Sequence, residues 1–394
     1  MDIAHGYDRV DIICDLYFDN SLKNQTRHQR GQGTVLMFDE NTKFPSDFKD
    51  NFLKNNNNKE RLNQFLADKF AEIHNNGDIT LTVTKGTGIL TNDEMLSSDP
   101  LINYNTAEEA DQKLVRHMVQ CVKNGVKNVV IRTIDTDVLI SLLAYRHFAG
   151  NFDSSSVYAW LATGKSPTFY DINKLAVHFG EKTCQALPFF YTFTGCDTVS
   201  SFFNQGKCKF WDRWQEFEDR DELTQLFCNL SKMPADISSE HIHRLEKYVL
   251  FVYYGKVDSP IDIDVQRMRE FEYSTHNNIR LLPPSKLGLT EHIKRAAYEA
   301  GWVQYQCIKN MTLPNPNGWG WGLYNGKYSP TWQVTTEPID EDLVITTCSC
   351  TTEKCLRCKC VTQKLQYIPF CKCHRRCLSV LLTFIISNKV HHFL

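Results

Sequence analysis

The 394-residue chain carries almost no net charge, −2 at neutral pH from 44 Lys and Arg against 46 Asp and Glu. A whole-molecule field for attracting nucleic acid or an anionic membrane is therefore excluded, and any such role needs a local basic patch. No secretory leader is expected either. Met1-Asp2-Ile3-Ala4-His5 has no basic region followed by an apolar stretch, so secretion is not expected. Long hydrophobic runs are missing. The longest near an end, Leu378 to Ile386, falls far short of the roughly 20 residues of a bilayer span, so no membrane partner is expected. No internal repeat is evident, which argues against a solenoid. With 42% hydrophobic residues, the chain is long enough for one large domain and smaller modules.

The fifteen cysteines are unevenly spread. Cys14, Cys121, Cys184, Cys196, Cys208, Cys228 and Cys307 are scattered through stretches that read as core and helix. Without a leader they are expected to be reduced, and mostly buried. The other eight lie between Cys348 and Cys377, a density that reads as a metal site.

Strand and helix patterns alternate from the start. Arg9 to Tyr17 is an apolar, β-branched run that predicts a strand, and Ile79 to Thr84 alternates as a second. Between them Leu62, Phe65, Leu66, Phe70 and Ile73 share one helical face. Thr106 and Glu109 have the spacing of a capping box, opening a helix that runs to about Lys123 and ends at Gly125. Val126 to Arg132 then predicts a buried strand, Val138 to Phe148 an apolar helix, and Val157 to Ala162 another strand. The alternation favours an α/β fold with a mostly parallel sheet covered by helices. Lys182 to Tyr254 is mainly helical, with Leu245, Tyr248, Val249 and Val252 on one face. Leu313 to Pro338, rich in Trp and Pro, reads as an irregular connector whose tryptophans dock onto the main domain.

Acidic residues fall where such a sheet would place its strand ends. Asp15 lies in the first strand, and Glu109 and Asp111 on the first turn of a helix. Asp135 and Asp137 follow Val129-Val130-Ile131, and Asp197 follows Phe189-Phe190-Tyr191-Thr192-Phe193. Ligand sites in open α/β sheets gather outside the carboxyl ends of the strands. Clustered carboxylates repel unless a cation offsets them, and hard divalent ions such as Mg²⁺ or Mn²⁺ suit oxygen donors. Taken singly, each acid equally suits a structural role, because acids complement the helix dipole. Thr133-Ile134-Asp135-Thr136-Asp137-Val138 alone also suits a phosphotransferase of the haloacid-dehalogenase type, although no later lysine and acidic pair stands out.

The four spots together resemble the flap-endonuclease (FEN/XPG-type), PIN-like nuclease family. Ile12-Ile13-Cys14-Asp15 followed by Asn20-Ser21-Leu22-Lys23 is similar to a family strand with its Asp and downstream Leu-Lys. Glu109-Ala110-Asp111 resembles its Glu-Ala-Glu, Thr133 to Asp137 its Glu-Asp-x-Asp strand end, and Gly195-Cys196-Asp197 its Gly-Cys-Asp. The resemblance covers roughly Val10 to Lys207. It implies Mg²⁺- or Mn²⁺-dependent phosphodiester hydrolysis with Asp15, Glu109, Asp111, Asp135, Asp137 and Asp197 holding the metal. Leu187-Pro188, the run from Phe193 to Phe202 and Gly318-Trp319-Gly320-Trp321 also resemble a multi-copy animal family that pairs such a domain with a C-terminal cysteine module. Two departures stand out. The family has an earlier strand with a further metal-binding Asp, and none precedes Arg9, so an N-terminal truncation is expected. The family's helix-hairpin glycines, which grip duplex phosphates, are reduced to Gly206-Lys207. Both leave a catalytically inactive, DNA-binding scaffold as the alternative.

Cys348, Cys350, Cys355, Cys358, Cys360, Cys371, Cys373 and Cys377 suit tetrahedral Zn²⁺ in a reduced compartment, and so short a segment would fold through the metal. A disulfide knot would need an oxidising one. The Cys-x-Cys pairs resemble the tesmin/TSO1-like CXC domain, which binds DNA through three zincs on nine cysteines. With eight cysteines, either His374 completes such a cluster or two separate ions are held. Lys354, Arg357, Lys359, Lys364, Lys372, Arg375 and Arg376 against Glu353 give a local +6 and leave −8 elsewhere. That basic surface suits phosphate contact, with Tyr367 a candidate for groove insertion; a structural zinc knob with solvated charges is the plainer reading. The expected organisation is a PIN/FEN-like domain over 1–255, a helical and Trp/Pro-rich connector over 256–342, the zinc module over 343–377 and an apolar tail over 378–394. The tail reads either as a short buried strand or as the product of a shifted reading frame. A DNA partner places the protein in the nucleus.

Overall fold

The computed structural model describes residues 6–18, 21–23, 33–74, 79–103, 107–146, 154–162, 167–255, 262–273, 279–305 and 314–331. The whole cysteine module and the apolar tail, expected at 343–394, lie outside the described residues, as does Thr106. The chain divides into two compact units, Met1–Trp332 and Gln333–Leu394.

The first unit is mixed α/β. Strands β1 (Arg9–Ile12), β2 (Thr80–Lys85) and β3 (Gly88–Thr91) form one sheet, and β4 (Asn128–Thr133), β5 (Ser156–Leu161) and β6 (Thr168–Asp171) another. Each sheet has one parallel pair, β1 with β2 and β4 with β5, and one antiparallel pair. The mostly parallel sheet expected from the sequence is thus replaced by two small mixed sheets among the described residues. The connections explain the difference. Only Gly86-Thr87 separates β2 from β3, and a parallel return needs a dozen or more residues. A hairpin, β7 (Trp321–Tyr324) with β8 (Lys327–Pro330), closes the described part.

Among the described residues, eleven helices surround these strands. They are α1 (Asn56–His74), α2 (Glu94–Ser97), α3 (Ala110–Lys123), α4 (Asp137–Arg146), α5 (Ile172–Phe179), α6 (Glu181–Phe193), α7 (Lys207–Glu216), α8 (Arg220–Ser231), α9 (Ser239–Tyr254), α10 (Ile263–Tyr273) and α11 (Lys286–Tyr305). None is long and apolar enough to cross a membrane among the described residues. The expected α9 stripe of Leu245, Tyr248, Val249 and Val252 is fully buried. Gly125 ends α3 as its position predicts, at φ +76°, a left-handed conformation glycine adopts at no steric cost.

Three expectations need correcting. Phe189 to Phe193, within the stretch read as mainly helical, does not bring a strand end before Asp197; it is the last part of α6. It is buried almost all round against Phe210, Trp214 and Phe227, so it shows no amphipathic period by which a helix is recognised. The expected helical connector is helical over Ile263–Tyr273 and Lys286–Tyr305, but the second of these helices belongs to the main core. Leu289, Ile293, Ala296, Ala297 and Ala300 of α11 are wholly buried in the main core, and small alanines let α11 lie close to α6. Of the tryptophans that follow, Trp321 is buried and Trp319 packs on the core, as expected, while Trp332 lies outside the described residues. Finally, the helix expected from a Thr106–Glu109 box begins at Ala110, where Glu109 makes no side-chain cap. Its cap comes from elsewhere.

Candidate metal centre

That cap is Asp15. β1 stops at Ile12, and the chain then leaves the ladder. Cys14 N–H donates to Thr84 Oγ1 at 2.8 Å, and Leu16 N–H to the Glu108 carbonyl at 2.6 Å. These bonds draw the loop against the N-terminus of α3, where Ala110 N–H donates to Asp15 Oδ1 at 2.7 Å. A carboxylate is favoured there by unpaired N–H groups and by the helix dipole. Beneath it Lys113, almost fully buried, donates from Nζ to the Cys14 carbonyl at 2.8 Å. Burial lowers the Lys113 ammonium to about 8, against the opposing pull of Asp15 and Cys14. Asp15 therefore has a structural task as well as a candidate metal-binding one. Asp15→Ala is expected to cost about 1 kcal/mol of stability in urea unfolding, while Asp15→Asn, which keeps an acceptor, costs clearly less.

The β4 end supplies two more acids. Asp135 N–H donates to Thr133 Oγ1 at 3.0 Å, and Asp137 N–H to Asp135 Oδ1 at 3.2 Å. The Asp-x-Asp pair thus turns the chain from strand into α4. Burial first, then the charges of Asp135 and Asp15, push Asp111 up to about 6, with Lys23 opposing. Burial likewise raises Asp137 to about 6, with Asp135 and Asp111 adding to it and the Tyr191 hydroxyl opposing through its hydrogen bond. Asp15, Asp111, Asp135 and Asp137 come from three different parts of the chain, and Asp111 lies within electrostatic reach of the other three. Glu109 joins them through an ion pair with Lys23.

Asp197 stands slightly apart. It is exposed and follows a helix rather than a strand. Its charge is felt at Glu299 of α11, which burial, Glu108 and Asp197 push up to about 6 against Lys23 and Thr198. Lys23 thus faces Glu109, Asp111 and Glu299, and links the two acidic groups. The Gly195-Cys196-Asp197 turn is fixed from below. Gly195 sits at φ +113°, and an added Cβ would meet Ser201 Cβ at 2.7 Å and Cα at 2.9 Å. Gly195→Ala is expected to cost about 2–4 kcal/mol by combined strain and overlap, read in the same unfolding assay.

Sequence reasoning missed Lys23 as the central cation, and also Tyr191, Lys207 and Glu299. Tyr191 binds Asp137, and Lys207 holds the Tyr191 carbonyl at 2.9 Å, Thr194 Oγ1 at 3.2 Å and the Gly195 carbonyl while its ammonium lies over the Tyr191 ring. His292 and Glu299 are seven residues apart on α11, hence on one face. His292 bonds Ser200 Oγ at 3.2 Å and the Phe193 carbonyl at 2.7 Å, and Glu299 bonds Thr198. The spacing was visible; the turn it grips was not.

The donor set is all carboxylate oxygen, and burial together with mutual repulsion raises two of the acids. That chemistry fits a hard divalent cation such as Mg²⁺ or Mn²⁺. Several oxygens are already engaged by Ala110, Tyr191 and Lys23, and among the described residues no three His, Cys, Asp or Glu side chains are grouped closely enough to hold an ion. In comparisons with known proteins the chain matches no family model, no curated protein and no solved structure.

Proposed function

We propose that the first unit is a divalent-metal-dependent, PIN/FEN-like nuclease domain that hydrolyses phosphodiesters. The observation that supports this reading is that Asp111 feels the charges of Asp15, Asp135 and Asp137, with Asp111 and Asp137 raised to about 6. Asp111, Asp135 and Asp137 would hold the cation by drawing closer together than they stand without it, with Asp15, Glu109, Asp197 and Glu299 as further acids of the site. A bound Mg²⁺ or Mn²⁺ would supply an activated water and stabilise the leaving oxygen. Tyr191 orients Asp137, Lys207 fixes Tyr191, and Lys23 holds the acids together. The cysteine module, by its composition, binds Zn²⁺ and then DNA through Lys354, Arg357, Lys359, Lys364, Tyr367, Lys372, Arg375 and Arg376, and the protein acts in the nucleus. The test is Mg²⁺-dependent cleavage of flap, single-stranded and duplex DNA by the full chain. Cleavage that stops on chelation and resumes with Mg²⁺ supports the reading; no cleavage of any substrate by zinc-loaded protein with Mg²⁺ or Mn²⁺ rejects it.

A second reading rests on the carboxylates already engaged and on Lys23 among them. In it the domain is a scaffold whose charge is balanced internally, and the protein is a non-catalytic DNA binder. Zinc-dependent, salt-sensitive DNA binding that persists in Asp135→Asn/Asp137→Asn and is lost on deleting residues 343–394 supports it. Unchanged binding after that deletion counts against it.

A further inference from the structure

The second sheet has two unlike faces. Ile131, Val157, Ala159 and Leu161 are buried, and α3 and α5 pack on that side. The opposite face presents Val130 and Arg132 from β4, Tyr158 and Trp160 from β5, and Phe169 from β6, as the alternation along each strand requires. Phe169 is 61% exposed and Val130 38%, and Arg132 is exposed as well.

Arg132, Trp160 and Phe169 are direct cross-strand partners, so they form one row across three strands. The Arg132 guanidinium lies over the Trp160 ring at 4.7 Å, and the Trp160 and Phe169 rings stack at 5.6 Å with planes 25° apart. A buried apolar surface would not need a guanidinium in it, and a purely solvated one would not carry an exposed Phe stacked on Trp. Three flat groups in a row, one of them cationic, match the π-faces and phosphates of an unpaired nucleotide strand.

The row is also well placed. Arg132 is three residues before Asp135 on the same chain segment, so their Cα atoms are at most about 11 Å apart. We propose that the Arg132–Trp160–Phe169 row is a stacking platform for single-stranded nucleic acid, which delivers its backbone to the acidic centre at the end of β4. The substrate class named here rests on the nuclease reading; the binding itself does not.

The experiment measures fluorescence anisotropy of the full chain with a labelled oligothymidylate and with a duplex of equal length, without added Mg²⁺. Phe169→Ala and Arg132→Ala change exposed side chains, and Phe169→Tyr keeps a ring. Each alanine variant is expected to weaken oligothymidylate binding about tenfold, the equivalent of about 1.4 kcal/mol for one lost base–aromatic contact. Phe169→Tyr is expected to bind as the parent does, and duplex affinity stays unchanged. Equal oligothymidylate affinity in all variants overturns the proposal, as does an equal loss on duplex. A dimer that dissociates in Phe169→Ala, with oligonucleotide binding intact, assigns the face to a second copy and also overturns it. Strand binding that depends on Phe169 without cleavage by any variant leaves the platform standing and removes the nuclease reading alone.

Discussion

Asp135→Asn/Asp137→Asn is expected to lower Mg²⁺-dependent cleavage by about 10²–10³-fold or more, the scale on which losing a transition-state electrostatic partner acts. Asparagine is close in shape to aspartate, and it keeps an oxygen to accept from the Asp137 N–H and from the Tyr191 hydroxyl. The turn into α4 therefore survives, and the loss is chemical rather than structural. Steady-state cleavage at saturating Mg²⁺, with far-ultraviolet circular dichroism as a folding control, measures it. Cleavage that persists at the parent rate in the double variant would remove this site from the reaction. The same pair of side chains distinguishes a metal site from a bare N-cap: a cap tolerates the amide, whereas a hard cation binds its neutral oxygen more weakly than a carboxylate.

Asp111→Asn is expected to stabilise the metal-free protein at neutral pH, which is unusual for a half-buried polar residue. Asp111 and Asp137 stand at about 6 in the folded chain against 3.8 for a free carboxyl. Between those values the folded state binds more protons than the unfolded one, so through these two groups stability rises as pH falls from above 6 toward 3.8. At neutral pH each ionised group instead costs on the order of 2 kcal/mol, discounted for partial exposure. Replacing Asp111 by asparagine removes its share of that cost, and the gain shrinks as pH falls below 6. His292 acts with the opposite sign: burial holds it at about 4 instead of 6.5, so stability through it is lost as pH falls below 6.5. Taking the difference between Asp111→Asn and the parent at each pH cancels His292. Urea unfolding across the range from neutral to mildly acidic pH reads this difference. A destabilised Asp111→Asn, or a difference that does not change with pH, would contradict the electrostatic account.

Much of the acidic centre was legible because its residues terminate recognisable elements. Val129-Val130-Ile131 is an apolar run cut short by Asp135 and Asp137, and β4 and α4 form almost where the pattern places them. Asp111 sits in the first turn of a helix whose end Gly125 announces. Three features were hidden for different reasons. The Phe189–Phe193 segment is apolar on every side, so strand and helix look alike in sequence, and the helix follows from packing. Strands β3 and β6 are four residues each, too short for their alternation to stand out. Glu299 lies 102 residues beyond Asp197 in a stretch expected to be a helical connector outside the domain, and only the packing of α11 against α6 brings it to Thr198. Tyr191 illustrates the same limit. Its neighbours mark it as core, whereas one hydroxyl reaching Asp137 gives it a task.

A manganese titration followed by electron paramagnetic resonance tests the central claim most directly. The parent chain, loaded with zinc, should take up Mn²⁺ saturably and in competition with Mg²⁺, and Asp111→Asn/Asp137→Asn should abolish that uptake while remaining folded. Identical Mn²⁺ uptake by the parent and the double variant, or none by either, would mean that these carboxylates meet for the sake of the fold and not for a cation.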